Sequence, residues 1–224
     1  MPRKLVYLHT VTSLVTLFNQ LSKEILPPDV EVVHIADEML LKLALAQGGL
    51  SPFIYRRVAD HVAAAEAFGA TAIQFTCSSI SPCADASRPL VNVPVLKVDE
   101  PMVDQAISLG ERVGVAATAA STLKPTTELV RSRAALTGRE IQVDPLLAEG
   151  AFKALMSGDT ETHDRIVRDT LKVLMARNQV VVLAQASMAR ILDTMPPEER
   201  TTPVLSSPRL AVERAAAVLQ QLAA

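Results

Sequence analysis

The sequence predicts an α/β protein of two pseudo-symmetric lobes, each a parallel sheet flanked by helices, with a ligand site in the cleft between them. Three observations carry this expectation. Short apolar runs alternate with helix-period segments along the chain, the pattern of parallel strands joined by crossover helices. The second half repeats the first at a shift of 108 residues, the self-similarity of a repeated unit. Small polar residues recur just after the corresponding strands of both halves, where open parallel sheets bind their ligands.

The elements follow in order. KLVYLH (4–9) reads as a buried strand, and a helix pattern runs from about Ser13 to Leu26. VEVVHI (30–35) is a second strand. Ser51 and Pro52 supply a cap and then a proline at the first helical position, and that helix ends near Gly69. TAIQFTC (71–77) is the third strand, Ser81-Pro82 opens a short helix, and VPVLKV (93–98) is the fourth strand. In the second half a helix covers residues 100–109, followed by the strand RVGVAAT (112–118) and a helix to Leu136 that Gly138 stops. EIQVD (140–144) is a strand, and two helical stretches follow, the second capped by Asp159. QVVVLAQ (179–185) and TPVLS (202–206) are the last strands, and Ser207-Pro208 starts the closing helix. SRP (87–89) and PPEER (196–200) read as loops.

At the shift of 108, Thr10 falls on Thr118, Ser13 on Ser121, Cys77 on Gln185 and Ser79 on Ser187. One residue further on, Pro94-Val95-Leu96 falls on Pro203-Val204-Leu205. The closing strand and helix therefore match the element that follows residue 94. If each lobe needs one such element, the closing helix returns to the first lobe. The expected division is 1–98 plus 207–224 for lobe one and 99–206 for lobe two.

Composition narrows the function. The 224 residues are 49% hydrophobic but only 3% aromatic, and the net charge is −2. An aliphatic core is expected, without the basic surface of a nucleic-acid or membrane binder or the aromatic platforms that stack bases. No apolar run reaches the length of a membrane span. The opening MPRKLVYLHTVTS reads as a first strand rather than a secretion signal, so a cytoplasmic protein is expected. The two cysteines, Cys77 and Cys83, are too few for a disulfide framework. No CxxC or HxxxH pair suggests a metal site, and no GxxxxGK[ST], GxGxxG or GxSxG motif is present. No cofactor is expected.

Cys77 is the strongest candidate for chemistry. It ends a predicted strand and stands before Ser78, Ser79 and a helix start. Helix N-termini favour the thiolate, the reactive form of cysteine. Ser78 and Ser79 can donate hydrogen bonds to an anion. Cys83, inside the short helix, reads as packing. His34, His61 and His163 read as structural or solvated. Lys97, Asp99 and Glu100 read as a linker or helix cap, and Arg131, Arg133 and Arg139 as a solvated helix face.

The segments HTVTS, FTCSSISP, VGVAATAAST and VVLAQASM together resemble the aspartate/glutamate/hydantoin racemase superfamily over nearly the whole chain. That resemblance implies a two-lobed, cofactor-independent enzyme acting on a small carboxylate, and it is compatible with a homodimer. In such enzymes one thiolate removes the proton beside a carboxylate, and a second thiol reprotonates the opposite face. The resemblance implies that Cys77 is the first thiol and that Ser78 and Ser79 bind the substrate anion. It implies further binding groups in the loop from His9 through Thr10 to Ser13, and in the loop holding Thr118 and Ser121. The second thiol would fall within LAQASM, where this chain has Gln185, Ala186 and Ser187; these are expected to bind substrate instead, Gln185 by a hydrogen bond to its carboxylate or amide. A glutamine has no titratable proton near neutral pH. Four outcomes therefore stay open: racemisation with Cys77 on one face and water or His9 on the other, one-thiol decarboxylation, nucleophilic cis–trans isomerisation, or carboxylate binding without catalysis.

Overall fold

The structure, a computed structural model, describes residues 3–223, apart from the side chains of Ser187 and Asp193. The chain divides into two compact units, Met1–Val98 with Pro208–Ala224, and Asp99–Ser207.

The first unit is a parallel sheet of β1 (Arg3–His9), β2 (Val30–Ala36), β3 (Ala72–Phe75) and β4 (Val95–Leu96), in the order β2-β1-β3-β4. Its helices are α1 (Leu14–Ile25), α2 (Glu38–Gln47), α3 (Pro52–Ala67), α4 (Ser81–Ser87) and, from the end of the chain, α10 (Ser207–Gln221). Strand β1 is apolar from Leu5 to Leu8 because both faces are covered there. Val6 and Leu8 join Leu40, Ile54, Val58, Val62 and Ile80 on one face. Leu5 and Tyr7 join Phe18, Leu21, Val212, Ala215 and Leu219 on the other. Each such aliphatic side chain, once buried, stabilises by about 1.5–3 kcal/mol.

The second unit repeats the plan with β5 (Arg112–Ala117), β6 (Gln142–Leu147), β7 (Val180–Leu183) and β8 (Val204–Ser206), all parallel, in the order β6-β5-β7-β8. Helices α5 (Glu100–Leu109) and α6 (Ala120–Leu136) contact β7 and β5. Helices α7 (Ala151–Met156), α8 (Thr160–Met175) and α9 (Ala189–Thr194) complete the unit. Val167, Leu171 and Leu174 of α8 pack on Val181 and Leu183 of the sheet. Asp159 caps α8 by accepting from Thr162 N at 3.0 Å. Gly138 follows α6 with φ +66°, a left-handed geometry that glycine adopts without strain.

Several expected boundaries move. Helix α2 was not expected; it starts directly after β2, with Asp37 as its cap, and buries Leu40 and Ala44. The strand expected at 140–144 lies instead at Gln142–Leu147. It passes through Pro145 because β6 is an edge strand, where a missing N–H costs no ladder bond. Residues 87–89 and 196–200 are not plain loops: Ser87 ends α4, and Arg88–Leu90 and Pro197–Glu199 form 3-10 turns. Arg133 does not simply face solvent, since Nε and Nη2 grip both carboxylate oxygens of Asp104 at 2.7 and 2.6 Å.

Candidate active site

In a sheet of order 2-1-3-4, chain connections diverge between the first and third strands, and a crevice forms at their carboxyl ends. In the first unit that point lies between β1 and β3. The register pairs Leu8 with Phe75, so the residues just beyond, His9 and Thr10 on one strand and Thr76 and Cys77 on the other, are brought together. The Thr76 N–H donates to the Leu8 carbonyl at 3.1 Å, which fixes the spacing of these ends.

Cys77 is half-buried and precedes the 3-10 turn Ser78–Ile80, which leads into α4. Ser78 and Ser79 are buried at 7% and 9% exposure. Thr10 is buried at 1%, and its hydroxyl has no hydrogen-bond partner among the described residues. A buried hydroxyl left unpaired costs about 1–3 kcal/mol, so this is an atypical place for an idle polar group. Ser13, just before α1, is exposed and makes no side-chain cap bond. Cys83 is fully buried, and burial pushes its thiol up to about 12. It is inert packing, in contrast to the more accessible Cys77.

His9 lies at the end of β1 with no exposed surface. Its Nδ1 is 2.9 Å from Oγ1 of Thr76. Its Nε2 is 2.8 Å from Nδ1 of His34 on β2, whose Nε2 is 3.0 Å from Oδ1 of Asn19. Both ring nitrogens of His9 are thus committed inside the protein. Burial, and then the neighbouring His34, push His9 down to about 4, and burial also lowers His34. The pair is neutral at pH 7. His9 therefore holds Thr76, the residue before the thiol, and has no ring nitrogen left over for a substrate.

The second unit has the matching point between β5 and β7, where Ala116 pairs with Leu183. Thr118 and Gln185 meet there. The Thr118 N–H and Oγ1–H donate to Oε1 of Gln185 at 2.7 and 2.9 Å. A backbone N–H can only donate, so the amide oxygen, not the nitrogen, faces Thr118. Gln185 and Ala186 are half-buried, and Ser121 is exposed in the first turn of α6. The side chain of Ser187 lies outside the described residues.

Two groups escape the sequence reading. Thr76 sits in the same polar run as Cys77 yet does the positioning described above. Asp37, at the end of β2, accepts from Met39 N, Arg57 Nε and His61 Nε2. Burial alone would raise its carboxyl, but the bonds from Arg57 and His61 outweigh it and hold it below the ordinary carboxylate value. The only local hint was an aspartate between a strand and a helix pattern. No group of three or more His, Cys, Asp or Glu is placed to hold a metal among the described residues. Among the described residues, no helix is long and apolar enough to cross a membrane.

Comparison with known proteins agrees with this architecture. The family model for Asp/Glu/hydantoin racemases matches residues 10–215. No curated protein sequence matches the chain. Among solved structures, glutamate racemase from Francisella tularensis subsp. tularensis SCHU S4, in complex with D-glutamate, superposes with a TM-score of 0.74 at 15% identity, covering 99% of this chain and 82% of that one. Allantoin racemase from Klebsiella pneumoniae gives a TM-score of 0.70 at 15% identity, covering 99% and 89%. Picrophilus torridus aspartate racemase gives 0.70 at 11% identity, covering 96% and 94%. At such identities these likenesses establish the α/β fold.

Proposed function

Because the chain belongs to the Asp/Glu/hydantoin racemase family, a family of isomerases, we propose that it moves a proton at the carbon beside a carboxylate, with the Cys77 thiolate as base. The Cα–H proton passes to Sγ, and its electron pair delocalises into the carboxylate as an enediolate. A proton then returns to that carbon, either from Sγ itself or from water on the other face; where water donates, the hydroxide left behind takes the proton from Sγ and restores the thiolate. Thr10, Ser78 and Ser79 hold the carboxylate oxygens, where the negative charge grows. Donors aimed at such developing charge supply most of the stabilisation in reactions of this kind. The observation that carries the reading is the buried Thr10 hydroxyl, without a partner among the described residues, at the strand end next to the thiol-bearing one. The reaction needs no metal or organic cofactor. Two free cysteines suit a reducing, cytoplasmic setting.

One observation favours a second reading. Gln185 stands where the resemblance implies a second thiol, and it carries no transferable proton. Protonation from one side only suits decarboxylation of a malonate-like diacid.

The test is exchange of the Cα proton in D2O, using aspartate and glutamate, with wild type and Cys77→Ala. Loss of a general base costs about 10²–10⁴ in rate, so exchange should fall at least 100-fold in the variant. Exchange with inversion identifies a racemase, and CO2 release from malonates the second reading. Tight binding with neither would leave a carboxylate-binding protein and sink both.

A further inference from the structure

The repeat allows one unit to be compared with the other, residue by residue. At β1 and β5, and again from α3 into α4 and from α8 into α9, the two units match at a shift of 108. Strand β3 (Ala72–Phe75) corresponds to β7 (Val180–Leu183), and the turn Ser78–Ile80 to the turn Ala186–Met188. The Thr76 N–H donates to the Leu8 carbonyl at 3.1 Å, and the Ala184 N–H to the Ala116 carbonyl at 2.9 Å. Cys77 has φ −131° and ψ 120°, and Gln185 has φ −134° and ψ 132°. The Ile80 N–H donates to the Cys77 carbonyl, and the Met188 N–H to the Gln185 carbonyl. Two strand ends of one geometry thus carry different side chains.

Thr10 and Thr118 are the conserved element of this comparison within the chain: both follow the central strand, and both are buried. The Thr10 hydroxyl has no partner among the described residues, whereas the amide and hydroxyl of Thr118 both donate to one oxygen, Oε1 of Gln185. An sp2 oxygen held by two convergent donors is how a protein binds one oxygen of a carboxylate. We infer that Gln185 is a built-in occupant of the Thr118 donor pair, its amide oxygen sitting where a ligand oxygen would otherwise bind. Gln185 is then a specificity residue. It withdraws the Thr118 donors from small carboxylates and, with Oε1 pinned, directs its two amide N–H donors away from Thr118. The inference deepens the proposed function and rests on its reading of these threonines as oxygen-binding groups.

The experiment follows backbone amides of the ¹⁵N-labelled full chain by NMR while acetate is added at pH 7. In wild type, the Thr118 amide should not respond. In Gln185→Ala it should shift saturably, with acetate binding there at least tenfold tighter than in wild type. In Gln185→Glu, whose carboxylate can replace the amide oxygen, Thr118 should be silent again. If Gln185→Ala does not fold, Gln185→Asn, one methylene shorter, serves in its place. A Thr118 amide that responds equally in wild type, or stays silent after Gln185→Ala, overturns the inference. The Thr10 amide is a separate readout in the same spectra. Its silence in all variants counts against the carboxylate assignment under the proposed function, while a Thr118 response confined to Gln185→Ala still upholds the occupant.

Discussion

The neutral His9–His34 pair makes the first unit sensitive to mild acid. His9 is fully buried and held at about 4, against 6.5 for an ordinary imidazole. Its folded value lies below its unfolded value, so the stabilisation is complete above about pH 6.5 and is lost as pH falls towards 4. Over the whole window, the gap from 6.5 to about 4 corresponds to on the order of 3 kcal/mol. Between pH 7 and pH 5, above the range where most carboxylates protonate, the loss is about 2 kcal/mol. His34 shifts in the same direction and adds to it. Among the described residues, the groups bonded to or packed on the two rings offer the imidazolium no counter-charge. Tyr7 packs against both rings, but burial, outweighing its bond to Ser22, pushes it up to about 12, and Asn19 is uncharged. The assay is urea unfolding followed by tyrosine emission. The chain has no Trp and two Tyr, Tyr7 and Tyr55, both in the first unit, so the signal reports that unit alone. His9→Ala places at β1 the residue that stands at the matching position of β5, Ala117. The variant should be less stable at pH 7 and should lose less than half as much stability as wild type on going to pH 5. A wild-type stability that is flat between pH 7 and pH 5 would refute the reasoning. So would an His9 imidazole that titrates near its ordinary value by NMR.

Thr10→Val removes the unpartnered hydroxyl while keeping the shape. It should leave stability unchanged or raise it by up to about 1 kcal/mol, yet weaken acetate binding at the Thr10 amide several-fold. A stability loss above that size, in urea unfolding, would mean the hydroxyl has a structural partner. Asp37→Ala deletes the α2 cap together with the partner of Arg57 and His61, and should cost about 3 kcal/mol. The same tyrosine-detected unfolding would contradict the anchoring role if the cost stayed below about 1 kcal/mol. Iodoacetamide on the native protein should give one adduct, at Cys77, by peptide mass mapping. Equal labelling of Cys83 would show that its burial does not protect it.

What could be read from the sequence was whatever short-range pattern determines. Strand β1 announced itself because packing on both faces demands Leu5, Val6, Tyr7 and Leu8 in unbroken succession. The end of β6 was misplaced because Pro145 looks like a strand breaker until the strand is known to be an edge. Helix α2 was missed because EMLLKLALAQ has apolar residues on several sides, and its buried pair, Leu40 and Ala44, does not stand out from exposed Met39 and Leu45. The polar groups at the strand ends were legible as a class, since a sheet order and a repeat place them. Their hydrogen bonds were not. The His9–His34 contact depends on the register of β2 against β1, and Asp37 meets Arg57 and His61 across some 20 residues of intervening chain.

The repeat gives these long-range contacts a meaning that neither unit supplies alone. The two strand ends share a backbone and a buried threonine, but at the matching positions His9, Thr76 and Cys77 stand against Ala117, Ala184 and Gln185. At these matching positions the titratable groups, His9 and Cys77, are therefore both in the first unit. The second has exchanged them for methyl groups and one amide that closes on its own threonine. A residue without an acceptor at 185 would deprive the buried Thr118 hydroxyl of this partner, and an unpaired buried hydroxyl carries a standing cost of about 1–3 kcal/mol. A glutamine of the right length, oriented by a backbone donor that only an oxygen can satisfy, removes that cost in the second unit. In the first, the cost persists at Thr10, at the strand end next to the more accessible cysteine. A hydroxyl with no partner among the described residues, on the strand end next to the thiol-bearing one and with a satisfied twin at the matching position, is the asymmetry that the proposed uptake of carboxylate and proton on one unit requires.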